Sequence, residues 1–241
     1  GIEKVEYAIT EKSFSPVLTG VLMKSKTEDA QHKIIFVGTD SFRLSEYKVT
    51  SSLSQDFSLI IPKVSISDIK YLVNFAIDKE VPEMTVKYSD NLIAFELTLE
   101  VRIVATSLLI QGNFPEYERE EVMPTQFSTK VMLDKRDCEN AIKKIILTKD
   151  INNFVQIETQ ATKVIISSGK TDKGAGTTEI PAIIDGDALT FAVNGRYVMD
   201  FIRMMSSDTL IFNIVNGQKP LVLMDKDDPS NRYVVRPLTN I

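Results

Sequence analysis

The feature that most constrains this chain is a repeated order of elements. A short amphipathic helix pattern followed by three or four strand-like runs occurs four times in 241 residues. Ile2, Val5, Ala8 and Ile9 fall on one face of the first helix pattern, and Ile69, Leu72, Val73 and Ala76 on one face of the second. Cys138, Ala141, Ile142 and Ile145 do so in the third, and Val198, Phe201, Ile202 and Met205 in the fourth. Apolar side chains three and four residues apart meet on one side of a helix, so each segment has a face to bury. Ser65, Asp134 and Asn194 are predicted N-caps, because their side-chain oxygens can accept from amides that the first helical turn leaves free.

Between the helices the apolar period shortens to two. Strands are predicted at 17–24, 33–37, 43–49 and 57–61, then at 84–88, 92–97 and 101–109. After the third helix they fall at 154–158, 163–168 and 177–184, and after the fourth at 209–215, 220–224 and 233–236. Turn residues punctuate 89–91, 169–176, 216–217 and 227–230, and the polar stretch 27–33 reads as a hairpin loop. Two helix-and-strand units make each half. Pro124 favours an extended link, so the boundary is placed there: domains at 1–124 and 125–241. The expectation is two similar α+β domains, each with two helices packed on antiparallel sheets and with internal pseudo-symmetry. The first unit opens on its helix with no strand before it, as a fragment cut inside a domain would.

Chemistry is sparse. His32 is the single histidine and Cys138 the single cysteine, so neither a Cys/His metal cluster nor an internal disulfide can form. One unpaired thiol fits a reducing cytoplasm. His32 reads as a solvated loop residue with no Ser-His-Asp partners, and Cys138 as a small buried hydrophobe on its helix face. The stretch 169–176 lacks the G-x-x-x-x-G-K-[ST] order of a phosphate loop and reads as a mobile hairpin tip. No apolar run reaches the ~18 residues of a membrane span. Neither a cofactor nor an enzymatic activity is expected. The alternative is an α+β enzyme with an unrecognised small-molecule site, which would need convergent carboxylates in a pocket. A further alternative is a purely structural two-domain scaffold.

The outward helix faces carry Lys4, Lys70, Lys143, Lys144, Arg196 and Arg203, interleaved with Glu3, Glu6, Asp68, Glu139 and Asp200. On composition this is an ordinary solvated face. If the helices shared one side, the basic residues would offer loose, sequence-blind contact to phosphates. A net charge of −5 argues against a uniformly basic surface but leaves room for one basic face.

Several stretches, in order, carry a resemblance: SPVLTGVLM at 15–23, VGTDSFRLSEYK at 37–48, LIIPK at 59–63 and QGNFPEYEREEVMP at 111–124. FAVNGRYVMDFI at 191–202, PLVLMD at 220–225 and YVVRPL at 233–238 continue it. Together they resemble the bacterial DNA polymerase III beta subunit family, the sliding clamps, across its second domain (without the first strand) and its third, C-terminal domain. The resemblance implies a non-enzymatic, cytoplasmic processivity factor of DNA replication. It encircles duplex DNA without reading sequence, as a homodimeric ring when full length; the fragment is expected to be a monomer. The six basic residues above would face the DNA. The resemblance also implies a peptide-binding groove between the two domains. Polymerase III, clamp loader subunits, other polymerases and repair proteins would dock there through Gln-Leu-x-Leu-Phe-like peptides. One subsite maps to Leu18, Thr39, Arg43, Leu44, Pro115 and Val235, with Leu238 nearby. The adjoining channel maps to Asn194, Tyr197, Pro220, Val234, Arg236 and Pro237. Phe42 and Arg236 depart from the common pattern, and Phe42 would reshape the mouth of the groove.

Overall fold

The computed structural model describes residues 1–28, 30–53, 55–147, 153–168 and 176–238. Of the hairpin tip read at 169–176, all but Gly176 lies outside the described residues, as does the tail 239–241. The chain forms two compact units, Gly1–Pro115 and Glu116–Ile241.

In the first unit, β1 (Gly20–Glu28), β2 (Gln31–Thr39), β3 (Arg43–Thr50) and β4 (Phe57–Pro62) form an antiparallel array in the order β4-β1-β2-β3. The fourth strand returns beside the first, a Greek-key arrangement. Helix α1 (Lys63–Asp78) follows, and then a three-stranded sheet of β5 (Thr85–Tyr88), β6 (Leu92–Thr98) and β7 (Arg102–Leu108). Alternation along β6 turns Ile93, Phe95 and Leu97 inward, where they meet Ile69, Leu72 and Ala76 of α1 and Ile61 of β4. Ile66, one turn earlier on α1, packs with Val5, Ile9 and Val21.

The second unit uses the same order with one more strand. Its elements are β8 (Thr129–Asp134), α2 (Lys135–Ile146), β9 (Phe154–Gln160), β10 (Lys163–Ser167) and β11 (Thr177–Gly186), then β12 (Thr190–Asn194), α3 (Gly195–Met204), β13 (Thr209–Ile214), β14 (Leu221–Asp225) and β15 (Asp228–Val235). Strand, helix, three strands therefore occurs twice. The first strand of each repeat pairs with the strand after the helix of the other: β8 with β13, and β12 with β9. Strand β8 also pairs with β11, joining the array β12-β9-β10-β11 to the array β8-β13-β14-β15. In the core, Phe201 of α3 stacks on Tyr233 of β15 with ring centroids 5.1 Å apart and planes 3° from parallel. Gly195 opens α3 because a Cβ there would lie 2.6 Å from Val155 and 3.1 Å from Ile142.

The α+β class holds, with antiparallel sheets covered by helices, but among the described residues there are three α-helices rather than four. Residues 1–9 wind into turns and a short 3₁₀ segment, Glu6–Ala8. Most of its bonds span three residues, such as Val5 N to Ile2 O and Ala8 N to Val5 O. The apolar spacing was right, since Val5, Ala8 and Ile9 are buried. Three β-branched apolar residues, Ile2, Val5 and Ile9, and the lack of a side-chain cap disfavour a regular α-helix here. Ser65 is not a cap: α1 starts at Lys63 directly from Pro62, and Ser65 Oγ instead accepts from Ser107 Oγ at 2.7 Å. Asp134 and Asn194 do cap α2 and α3.

Strands β8 and β12 escaped the sequence reading because they run straight into helices. Asp134 and Asn194 each end a strand and cap a helix, so no turn residue marks the change. Residues 17–19 of the predicted first strand lie instead in a 3₁₀ turn, Pro16–Thr19, started by Pro16. The turn expected at 227–230 narrows to Lys226-Asp227, and Asp228–Val235 is strand. His32 is not a loop residue. It lies in β2 opposite Thr27, whose hydroxyl is 3.0 Å from its Nδ1.

Candidate functional site

The Gly-Thr-Asp-Ser-Phe-Arg-Leu corner between β2 and β3 is held by two side chains. Asp40 Oδ1 accepts from the amides of Phe42 and Arg43, both at 2.9 Å, and its Oδ2 accepts from Arg43 Nε at 3.0 Å. Thr39 Oγ1 donates to the Arg43 carbonyl at 2.6 Å and accepts from Ser41 N at 3.1 Å. These bonds support Ser41 at φ 77°, a left-handed conformation a serine would otherwise avoid. The corner is thus stiff, with Arg43 folded onto Asp40 and Phe42 turned out, 59% exposed. Asp40 was not among the sequence-derived site residues, although the Thr-Asp pair at a strand end was the signal for it.

Other first-unit candidates gather at this end of the sheet. Thr39 pairs with Leu44, and both are buried. Leu18 is buried in the 3₁₀ turn just before β1 begins at Gly20. The segment leading to Pro115 passes the same turn: Ile110 N donates to Ile60 O, and the α-carbon region of Gly112 approaches Val17. Pro115 itself is exposed. The unit therefore offers an apolar floor of Leu18 and Leu44, a polar corner and one exposed aromatic ring.

The second-unit candidates also converge. Asn194 Oδ1 accepts from Arg196 N at 3.0 Å and sets the start of α3, with Tyr197 half-buried in its first turn. Leu238 N donates to Ala192 O at 2.8 Å, which lays the segment after β15 beside β12 and that helix start. Val234 and Val235 pair with Val222 and Leu221 of β14, next to Pro220. Val234, Val235 and Pro237 are buried, Leu238 is half-buried and Arg236 is exposed.

The basic candidates behave differently in the two units. Lys4 lies 5.7 Å from the Tyr47 ring centroid. Lys70 is held between Glu6, a close contact, and Glu3 at 3.6 Å. In the second unit Lys143, Arg196 and Arg203 line a shallow depression of about 680 Å³ between α2 and α3. Ile146, the exposed Leu147, the buried Met199 and Asp200 complete its lining. Met199 was missed as a site member because its position on α3 reads only as core. Positions 196, 199, 200 and 203 share one helix face, which was the available signal. Lys143 pairs with Glu139 at 2.6 Å and Arg203 with Asp200 at 3.0 Å. Among the described residues, Lys144 and Arg196 make no ion pair. The hydrogen bond from Lys143 holds the Glu139 carboxyl below the usual carboxylate range, and Arg203, across the helix pair, adds to that.

Comparison with known proteins agrees with this architecture. The family described as "DNA polymerase III beta subunit, central domain" matches residues 1–116, and "DNA polymerase III beta subunit, C-terminal domain" matches residues 120–239, in that order. The chain belongs to the DNA polymerase III beta subunit family. A protein named beta sliding clamp in Staphylococcus aureus is 23% identical over 98% of this chain and 60% of its own length. A Caulobacter crescentus beta sliding clamp shares the fold with a TM-score of 0.88 and 20% identity, over 99% of this chain and 63% of that one. A Pseudomonas aeruginosa sliding clamp solved bound to griselimycin has a TM-score of 0.87 at 18% identity, over 99% of this chain and 62% of that one. The chain thus spans about three-fifths of the length of the beta-clamp relatives it matches. Among the described residues, no helix is long and apolar enough to cross a membrane.

Proposed function

We propose that this chain is the docking and DNA-facing part of a sliding clamp, a processivity factor that performs no covalent chemistry. The observation that carries the proposal is the ordered match of both beta-subunit domains along the whole chain. In this reading the protein encircles duplex DNA and tethers polymerase, clamp loader and repair proteins through short Gln-Leu-x-Leu-Phe-like peptides. Leu18, Leu44, Pro115, Val235 and Leu238 would receive the peptide's Leu or Phe, each anchor contributing roughly 1.5–3 kcal/mol if fully buried. Thr39, Arg43 and Asn194 would orient its polar groups, and Phe42, Tyr197, Pro220, Val234, Arg236 and Pro237 would shape the channel. The stiff corner supports this role, since a site that is already ordered loses little entropy on binding.

The test is a fluorescence titration with a labelled Gln-Leu-Ser-Leu-Phe peptide. Arg43→Ala and Tyr197→Ala should each weaken binding by about tenfold or more, the scale of a lost charge-assisted bond or aromatic contact. Binding that ignores both substitutions would remove the groove assignment.

A further inference from the structure

The face shared by α2 and α3 is basic by count but restrained by pairing. The two helices carry six basic and three acidic side chains. Two of the acids are placed on the cations of the depression: Glu139 one turn before Lys143, at 2.6 Å, and Asp200 three residues before Arg203, at 3.0 Å. Arg196 shares the depression, and Lys144 neighbours Lys143; both stand outside these pairs. A cation held by a carboxylate presents a dipole to an approaching phosphate, and that field fades faster with distance than the field of a lone charge.

We propose that Glu139 and Asp200 tune nucleic-acid contact on this face, holding Lys143 and Arg203 back from backbone phosphates so that duplex DNA is touched weakly and slid past. The proposal rests on the clamp reading and adds a role for two carboxylates. Lys144 and Arg196 supply the standing attraction. Lys143 and Arg203 reach a phosphate only by exchanging it for their own carboxylate. Such an exchange is shallow in energy because pairs on an exposed helix face are weak. The apolar side chains of the lining, Ile146, Leu147 and Met199, offer no hydrogen bond that would fix one phosphate in place. Contact on this face is therefore transferable from one phosphate to the next as the duplex moves.

The experiment measures binding of the full chain to a short blunt-ended DNA duplex of mixed sequence by fluorescence anisotropy across a salt series. Glu139→Gln and Asp200→Asn keep side-chain shape and remove one negative charge each. Each should tighten binding at low salt by roughly two- to fivefold. Together they should steepen the plot of log affinity against log salt by up to about 0.9 per freed cation. Lys144→Ala with Arg196→Ala should weaken binding and flatten the slope. Glu96→Gln in the first unit, which changes net charge equally beside Arg102 and Lys87, is the control and should leave both unchanged. A double variant matching the parent in affinity and slope overturns the proposal, as does an equal gain from Glu96→Gln or an absence of duplex binding in every variant. The peptide titration described above is independent of this face, so a negative result here with peptide binding intact removes the tuning role and leaves the docking role standing.

Discussion

The helical segment that precedes the Greek-key strands is built differently in the two units. In the second unit, Asp134 accepts from the amides of Arg136 and Asp137 at 2.9 and 3.0 Å, and α2 continues to Ile146. In the first unit, the corresponding segment has a buried apolar stripe but no side-chain cap, and it closes in 3₁₀ turns. The same contrast appears in charge. Lys70 in α1 is flanked by Glu3 and Glu6, whereas the α2–α3 face keeps Lys144 and Arg196 outside its ion pairs among the described residues. Apolar spacing chooses which side of a segment is buried. Caps, length and charge placement choose how regular it becomes and what its other side can attract.

The strongest way to break this comparison is to remove a core side chain from the better-formed segment. Ile142 of α2 is fully buried, and Ile142→Ala should cost about 2–5 kcal/mol. Val5→Ala in the 3₁₀ segment removes fewer atoms and should cost about 2 kcal/mol or less. Urea unfolding of both variants tests the order, and an equal or greater loss for Val5→Ala would contradict it.

Caps give a sharper and smaller contrast. Asp134→Ala should lower stability by about 1 kcal/mol, up to about 2, whereas Ser65→Ala should cost less than about 1, since it breaks a hydroxyl pair and no cap. The same unfolding assay decides it.

Acid stability gives a test at one buried carboxylate of the second unit. Burial pushes the Asp225 carboxyl upward, but hydrogen bonds from Ser207, Ser206 and Asp227 outweigh that and hold its pKa at about 2, below the ordinary 3.8. A depressed carboxylate stabilises the fold fully above its unfolded value and progressively less as pH falls from about 4 toward 2. Asp225→Asn should therefore lower stability at neutral pH and flatten the loss of stability across that acid range, as followed by denaturant midpoint against pH. The smallest effect is at Cys138. Complete burial, with Asp134, Asp137 and Glu139 adding to it, pushes its thiol up to about 12. A thiol reagent at neutral pH should leave the native chain unlabelled and modify it only after denaturation.

Much of this was readable from residues. The inward stripes of α2 and α3, the caps Asp134 and Asn194, and Ile69, Leu72 and Ala76 of α1 follow from local periodicity, whereas Val73, read on the same α1 face, is exposed and Ile66 is buried instead. So did the family, through short motifs in order. The corner at 39–43 was marked by its Thr-Asp pair, but the double role of Asp40, bonding two amides and the Arg43 guanidinium, needed coordinates. Strands β8 and β12 were hidden because a capping residue ended each of them without a turn. His32 looked like a loop residue because polar neighbours surround it, although β1 pairs with it as strand.

Periodicity and capping act over a few neighbouring residues, and the order of amino acids is enough to specify them. How β8 joins β11 to β13, and how Phe201 comes to stack on Tyr233, depend on groups distant along the chain. Folding brings those groups together, and their mutual burial and charge settle what the local pattern leaves open.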